Sequence, residues 1–320
     1  MQIQEAAQCS QDLLAALRQV IIGKDEVLQQ ILLGLYSGGN ILIEDVPGLA
    51  KTLIARLIAQ VTGLGFKRIQ FTPDLLPGDI TGGLIYNQKM SEFEFRPGPL
   101  FTNLVLADEV NRAPPKTQAA LLEVMQERQV TIEGSTHVMQ RPFTVIATQN
   151  PIELEGTYPL PEAQLDRFIM RTQVGYPTPE EEQRILAQRG ARQRDQIDLD
   201  AVITAEQVVQ MQAAVEHVHA DADIEAYIVS LAAATRRHNQ VQVGVSPRGS
   251  LALYQLSRAQ AMVQGRDFVL PDDVKVMAIP ALAHRLLLRP ELWVRGIQAD
   301  AIIQEILDRT PVPKADLQSA

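Results

Sequence analysis

Residues 40–60, NILIEDVPGLAKTLIARLIAQ, constrain the fold more tightly than any other part of the chain. The apolar run at 40–44 has the length and composition of a buried strand, and 51–60 has the spacing of a helix. A strand that passes through a short loop directly into a helix belongs to a parallel sheet covered by helices. The loop between them also has the makings of a phosphate cradle. Backbone N–H groups at a helix N-terminus point at phosphate oxygens, while Lys51 and Thr52 offer a cation and a hydroxyl. The general pattern of such loops has glycine where this chain has Asp45 and Ala50. Gly48 remains in the middle of the loop. Ala50 adds one methyl group, which a helical φ tolerates. A carboxylate about 4 Å from a phosphate costs roughly 4 kcal/mol per charge pair at an effective dielectric of 20, so Asp45 is expected to point away.

Around this unit the pattern continues. Helical periodicity runs through 11–19 and 24–36. Val27, Ile31, Leu32 and Leu35 share a face of the second helix, and Gly38-Gly39 ends it. Further apolar strands are expected at 68–71, 103–108, 143–149 and 167–174. Two stretches, 82–98 and 129–139, read as hairpins with polar tips, the second turning at Gly134. They are either plain surface hairpins or insertions that face a substrate. Beyond GYPTPEEE the alternation stops. Thr178 caps a helix, Pro179 takes its first position, and three glutamates suit its positive end. Helices then follow at 178–189, 204–218, 222–238, 246–263 and 271–287. The expectation is an α/β nucleotide-binding domain over 1–175, an all-helical domain over 178–310 and a loose tail at 311–320.

The strand LVLAD delivers Asp108, and Glu109 beside it, to its C-terminal end, the edge at which open α/β sheets bind ligands. One carboxylate can hold Mg²⁺, and the next can orient and deprotonate a water. Asn150 ends the strand FTVIATQ, where its amide can meet an attacking water or a terminal phosphate. Arg167, in EAQLDRF, stands at a helix end beside Asp166, with which it is placed to pair. Arg248 lies in GVSPRGS, one residue after Pro247 and two after the capping Ser246. The helix dipole disfavours a cation there, which suggests a phosphate partner. The five histidines fall on different elements and read as structural or surface groups.

A net charge of −9 argues against a general nucleic-acid binder. Cys9 is the only cysteine, so neither an intrachain disulfide nor a cysteine-built metal site can form. The N-terminal residues lack the order of a secretory signal, and no apolar run approaches a membrane span, so a cytoplasmic protein is expected.

Four segments carry a specific resemblance: IIGKDEVLQQILLGLYSGGNILIEDVPGLAKT, LADEVNRAPPKTQAALLEVMQER, ATQNPIELEGTYPLPEAQLDRFIM and GVSPRGSLAL. In order and spacing the chain resembles a MoxR-family AAA+ ATPase over nearly its whole length. The family's loop tolerates both Asp and Ala. The resemblance implies an AAA+ P-loop NTPase core, with a parallel sheet flanked by helices, followed by an all-helical lid. It implies ATP and Mg²⁺ as cofactors. ATP would be bordered by Val46, Pro47, Gly48, Leu49, Ala50, Lys51, Thr52 and Leu53, and its adenine by Ile21, Ile22 and Gly23. Thr52 and Asp108 would organise the metal, Glu109 would activate water, and Asn150 would be sensor 1. Arg167 would be an arginine finger acting on the neighbouring subunit, and Arg248 sensor 2. The family further implies a homo-oligomer, expected to be a hexamer, and a chaperone-like remodeller whose partner often carries a von Willebrand factor A domain. A nucleotide-gated scaffold without hydrolysis and a nucleic-acid motor are the alternatives.

Overall fold

The computed structural model describes residues 1–151, 156–194, 197–293 and 296–313. Among the described residues, five parallel strands form one sheet. They are β1 (Ile41–Glu44), β2 (Phe66–Gln70), β3 (Leu104–Asp108), β4 (Thr144–Gln149) and β5 (Met170–Thr172), in the spatial order β2-β3-β4-β1-β5. Alternation along the strands explains why both faces are covered. Ile41, Ile43, Leu104, Leu106 and Ile146 point into one core. Leu42, Val105, Ala107, Val145 and Ala147 point into the other.

The first core is shared with the C-terminal half. Helices α1 (Ile3–Arg18), α2 (Asp25–Tyr36) and α3 (Lys51–Val61) supply Leu13, Leu17, Leu28, Ile31, Ile54 and Ile58. The second core rests on Leu121, Leu122 and Met125 of α4 (Pro115–Glu127), a helix not among those expected from the sequence. The C-terminal half contains α5 (Pro179–Arg192), α6 (Ala205–Val215), α7 (Ala222–Arg237), α8 (Pro247–Val263), α9 (Pro271–Leu282) and α10 (Ala299–Arg309). Leu253 and Leu256 of α8 and Ile302 and Ile306 of α10 join the first core, so the two halves are packed together rather than tethered.

Local signals set several boundaries. The Thr178 hydroxyl accepts from the Glu181 amide, and the Glu181 carboxylate accepts from the Thr178 amide, a complete capping box. Ser246 caps α8 by accepting from the Gly249 amide. Both expected hairpins form, pairing Gly82–Asn87 with Glu92–Pro97 and Gln129–Ile132 with Ser135–Val138. Glu133 and Gly134 both have positive φ, as a type I′ turn requires. The Phe95 ring stacks on the His137 ring at 3.8 Å, tying one hairpin to the other.

Some expectations need correction. The C-terminal half is not purely helical: Val241–Val243 pairs antiparallel with Leu287–Leu288. The helix read through 271–287 ends at Leu282, because Ala283–Arg285 tightens into a 3-10 turn before the short strand. Helix α1 begins well before residue 11, and α10 extends beyond the helices read from the sequence. Residues 152–155, inside the ATQNPIELEGTYPL segment, lie outside the described residues, as does most of the tail at 311–320. No helix among the described residues is long and apolar enough to cross a membrane.

Candidate active site

The C-terminal ends of the strands converge because the register aligns them. Gln70 stands opposite Asp108, and Glu44 opposite Gln149. Asp45, Gln70, Asp108 and Asn150 therefore share one edge, above which α3 presents its N-terminus. A cavity of about 390 Å³ opens there, lined by Pro47 through Leu53 together with Arg68, Asp108, Glu109 and Asn150. A second, mainly apolar cavity of about 160 Å³ shares Gly48, Leu49, Ala50 and Leu53 with it. Ile21, Ile22, Val174 and Ile185 are among the residues that complete its walls.

The loop departs from the sequence expectation at one residue. Ala50 has φ 57° and ψ 18°, a left-handed conformation and not the helical one expected. Gly48 is also left-handed, at φ 85°. Such positions curve a loop into the concave N–H arrangement that binds anions. Asp45 behaves as expected. Its carboxylate turns away from the cavity and accepts from the amides of Val46 at 2.8 Å, Val174 at 2.7 Å and Gly175 at 2.6 Å. The loop is thereby tied to the segment leading out of β5. Lys51 Nζ donates to the carbonyls of Asp45 at 2.7 Å and Val46 at 3.1 Å. Burial lowers the pKa of this ammonium, and the charges of Asp45, Asp108 and Glu109 raise it in part.

The two carboxylates at the end of β3 are held differently. Asp108 is buried, and its Oδ1 accepts from the Thr148 hydroxyl at 2.6 Å. Its Oδ2 lies 3.5 Å from Thr52 Oγ1 and accepts from Arg68 Nε at 2.9 Å and Nη2 at 2.7 Å. Glu109 adopts φ 58° and ψ 50°, a conformation in which non-glycine residues concentrate at functional sites. Its amide donates to Thr148 Oγ1 at 2.8 Å. Its Oε2 accepts from Gln70 Nε2 at 2.8 Å and pairs with Arg112 Nε at 3.2 Å. Asn150 is buried beside Asn111, whose Nδ2 donates to the Asn150 carbonyl at 3.4 Å.

Residues 40–170 match the ATPase family associated with various cellular activities (AAA), and residues 233–306 match the AAA lid domain. The uncharacterised YeaC protein of Bacillus subtilis is 49% identical over 297 residues, covering 93% of this chain and 92% of YeaC. The chaperone MoxR1 of Mycobacterium tuberculosis is 44% identical over 310 residues, 93% of this chain and 81% of MoxR1. This chain belongs to the MoxR family of AAA+ ATPases. A crystallised protein of Cytophaga hutchinsonii, with an inferred ATPase assignment, shares the fold of this MoxR-family chain. Its TM-score is 0.91 at 39% identity, over 98% of this chain and 97% of the other.

The structure gathers Pro47, Gly48, Leu49, Ala50, Lys51, Thr52, Leu53, Asp108, Glu109 and Asn150 around one cavity, and Ile21 and Ile22 around the next. It does not bring every candidate there. Val46 turns its amide to Asp45 and its carbonyl to Lys51. Gly23, at φ 70°, lies against the Glu181 carboxylate, which fills the place a Cβ would take. Arg248 and Arg167 are not among the lining residues of either cavity. Arg248 Nη1 stands 3.9 Å from Asp166 Oδ2. Asp166 is otherwise engaged by the Ser246 hydroxyl at 3.1 Å and by Arg285 Nη1 at 2.6 Å. The alternative pairing of Arg167 with Asp166 is not formed. Sequence reasoning missed Arg68, Gln70, Thr148 and Arg285. Arg285 is the least expected, being an arginine whose side chain is 2% exposed. Burial pulls its pKa down to about 10, while the Asp166 carboxylate opposes the shift, so it stays charged at neutral pH.

Proposed function

We propose that this MoxR-family protein hydrolyses ATP with Mg²⁺ in a ring of identical subunits and uses the cycle to remodel partner protein complexes. The carrying observation is that an ammonium, a hydroxyl, two carboxylates and an amide line one cavity at a helix N-terminus. The adjoining apolar cavity suits an adenine. Lys51, drawn from the loop carbonyls, supplies positive charge to the outer phosphates. Thr52 Oγ1 and Asp108 Oδ2 are hard oxygen donors of the kind Mg²⁺ prefers. Among the described residues no group of three or more His, Cys, Asp or Glu side chains could hold a metal by itself. So small a protein donor set fits an ion that arrives on the nucleotide's phosphates. Mg²⁺ bound there would neutralise charge on the transferring phosphoryl group.

Glu109 takes the proton of the attacking water as its oxygen bonds to the terminal phosphorus and the bond to the ADP oxygen breaks. Asn150 orients that water. Arg248 reaches the phosphate from the lid on leaving Asp166. Arg167, which has no partner for its guanidinium among the described residues, serves the site of the next subunit. A finger of that kind is worth on the order of 10³ to 10⁵ in rate, which makes turnover depend on assembly, expected as a hexamer. MoxR1 is named a chaperone, and that relationship supports remodelling as the work done. A cytoplasmic location and a partner with a von Willebrand factor A domain are what the resemblance to the family implies.

Titration with a fluorescent ATP analogue tests the site. Lys51→Ala should bind at least tenfold more weakly than the wild type, because the outer phosphates lose their nearest fixed cation. Equal affinity would remove Lys51, and with it this cavity, from the account.

A further inference from the structure

Arg68 has no part in the reading above, yet it lines the same cavity and holds the same carboxylate. Both of its contacts to Asp108 converge on one oxygen. Thr148 occupies Oδ1, so Oδ2 is the oxygen that faces Thr52 across 3.5 Å. Arg68 Nε and Nη2 donate to that oxygen, and Nη2 is steadied by Gln70 Oε1 at 2.5 Å. Thr52 and Asp108 are the residues that would hold a divalent cation, and such an ion would draw on the same lone pairs. A guanidinium and a divalent ion that share one carboxylate oxygen also repel each other in a partly desolvated site. The two are therefore alternatives. The Arg68 side chain is 47% exposed and lies on an edge strand, so it can swing aside without disturbing the core.

We propose that Arg68 is a positioning residue that competes with the nucleotide-borne metal for Asp108 Oδ2, and so sets how strongly nucleotide binding depends on Mg²⁺. This rests on the nucleotide reading of the cavity. While Arg68 holds Oδ2, the carboxylate is neutralised and fixed in the rotamer that faces Thr52. When metal and nucleotide enter together, Arg68 yields the oxygen, and displacing it subtracts from the gain in affinity that the metal brings. Binding of the two ligands is linked, so the linkage can be read from nucleotide affinity alone.

The experiment measures the affinity of a fluorescent ATP analogue for the full chain in excess EDTA and again in saturating MgCl₂. The ratio of the two affinities is the metal linkage. Arg68→Met removes the competing charge and should raise the ratio about tenfold, within the usual range of coupling between sites. Arg68→Gln, which keeps a polar head, should raise it in the same direction and gives the reading whether or not the Met variant folds. Arg68→Lys retains a cation without the two-pronged geometry and should fall between them and the wild type. A purely structural Arg68 predicts that both affinities weaken together with the ratio unchanged. An unchanged or smaller ratio in the Met and Gln variants, with normal wild-type binding, overturns the competition. A wild-type chain that binds no nucleotide in either condition overturns the nucleotide reading as well.

Discussion

Ala50 has an alanine side chain on a backbone that suits glycine, with φ 57°. A left-handed conformation costs an L-residue about 1–2 kcal/mol, part of which glycine gives back through its freer unfolded chain. Ala50→Gly should therefore raise stability by roughly 0.5–1 kcal/mol, read as a higher urea midpoint. A lower midpoint would show that the methyl group stabilises the loop by contacts that outweigh the strain. The same residue shows how local sequence misleads. Alanine is compatible with the helix it precedes, so nothing in GLAKT signals that the chain reverses its hand just before Lys51. Asp45 was legible for the opposite reason. Charge repulsion alone decides where a carboxylate beside a phosphate cradle can point, and the amides of Val174 and Gly175 receive it.

Strands β3 and β4 were readable as elements because each is an uninterrupted apolar run ending in polar groups, the signature of a strand buried on both faces. Strand β2 was only partly readable. FKRIQ carries only Phe66 and Ile69 as apolar residues and shows no clean alternation, and two of its polar residues, Arg68 and Gln70, are the ones that meet Asp108 and Glu109. That meeting depends on the register between β2 and β3, which composition does not encode. The turn Ala283–Arg285 is a comparable case: the helical pattern read through 271–287 runs straight across it, yet His284 and Arg285 are both buried against the chain around Phe168. His284 Nε2 lies 3.2 Å from the Phe168 carbonyl. Burial, with Arg285 and Arg171 nearby, holds its pKa well below the usual 6.5. The unfolded chain then binds a proton that the folded chain refuses. Stability is full above the unfolded pKa and falls as pH drops below about 6.5 toward the folded value, by up to about 1.4 kcal/mol per pH unit. The wild type should lose more melting temperature between pH 7.5 and pH 5.5 than His284→Gln does. Equal losses in the two proteins would place the acid sensitivity elsewhere.

At the scale of the whole molecule, the lid and the sheet share a core through α1, α2 and α3, so a change at the cradle and a change in the lid are mechanically connected. Asp166 is the visible joint. It receives Arg285 and Ser246 from the lid, stands near Arg248, and directly precedes Arg167. On the proposed reading, a phosphate that draws Arg248 away would alter the contacts of the residue beside the proposed finger, and would link one subunit's nucleotide state to its neighbour's catalysis. The domain order was legible in the change from alternating strands to capped helices. The shared core was not, because amphipathic helices show which face is buried without showing what covers it. The central claim is that a complete ATPase site takes residues from two subunits, and mixing two inactive variants tests it most directly. A Lys51→Ala subunit has a defective site and an intact finger, while an Arg167→Ala subunit has an intact site and no finger. Each should be inactive alone. After subunit exchange, with co-assembly verified by native mass spectrometry, some ATPase activity should return, because a Lys51→Ala subunit beside an Arg167→Ala subunit completes one interface. Verified mixed rings without any recovery would contradict a site built across two subunits and confine Arg167 to its own chain.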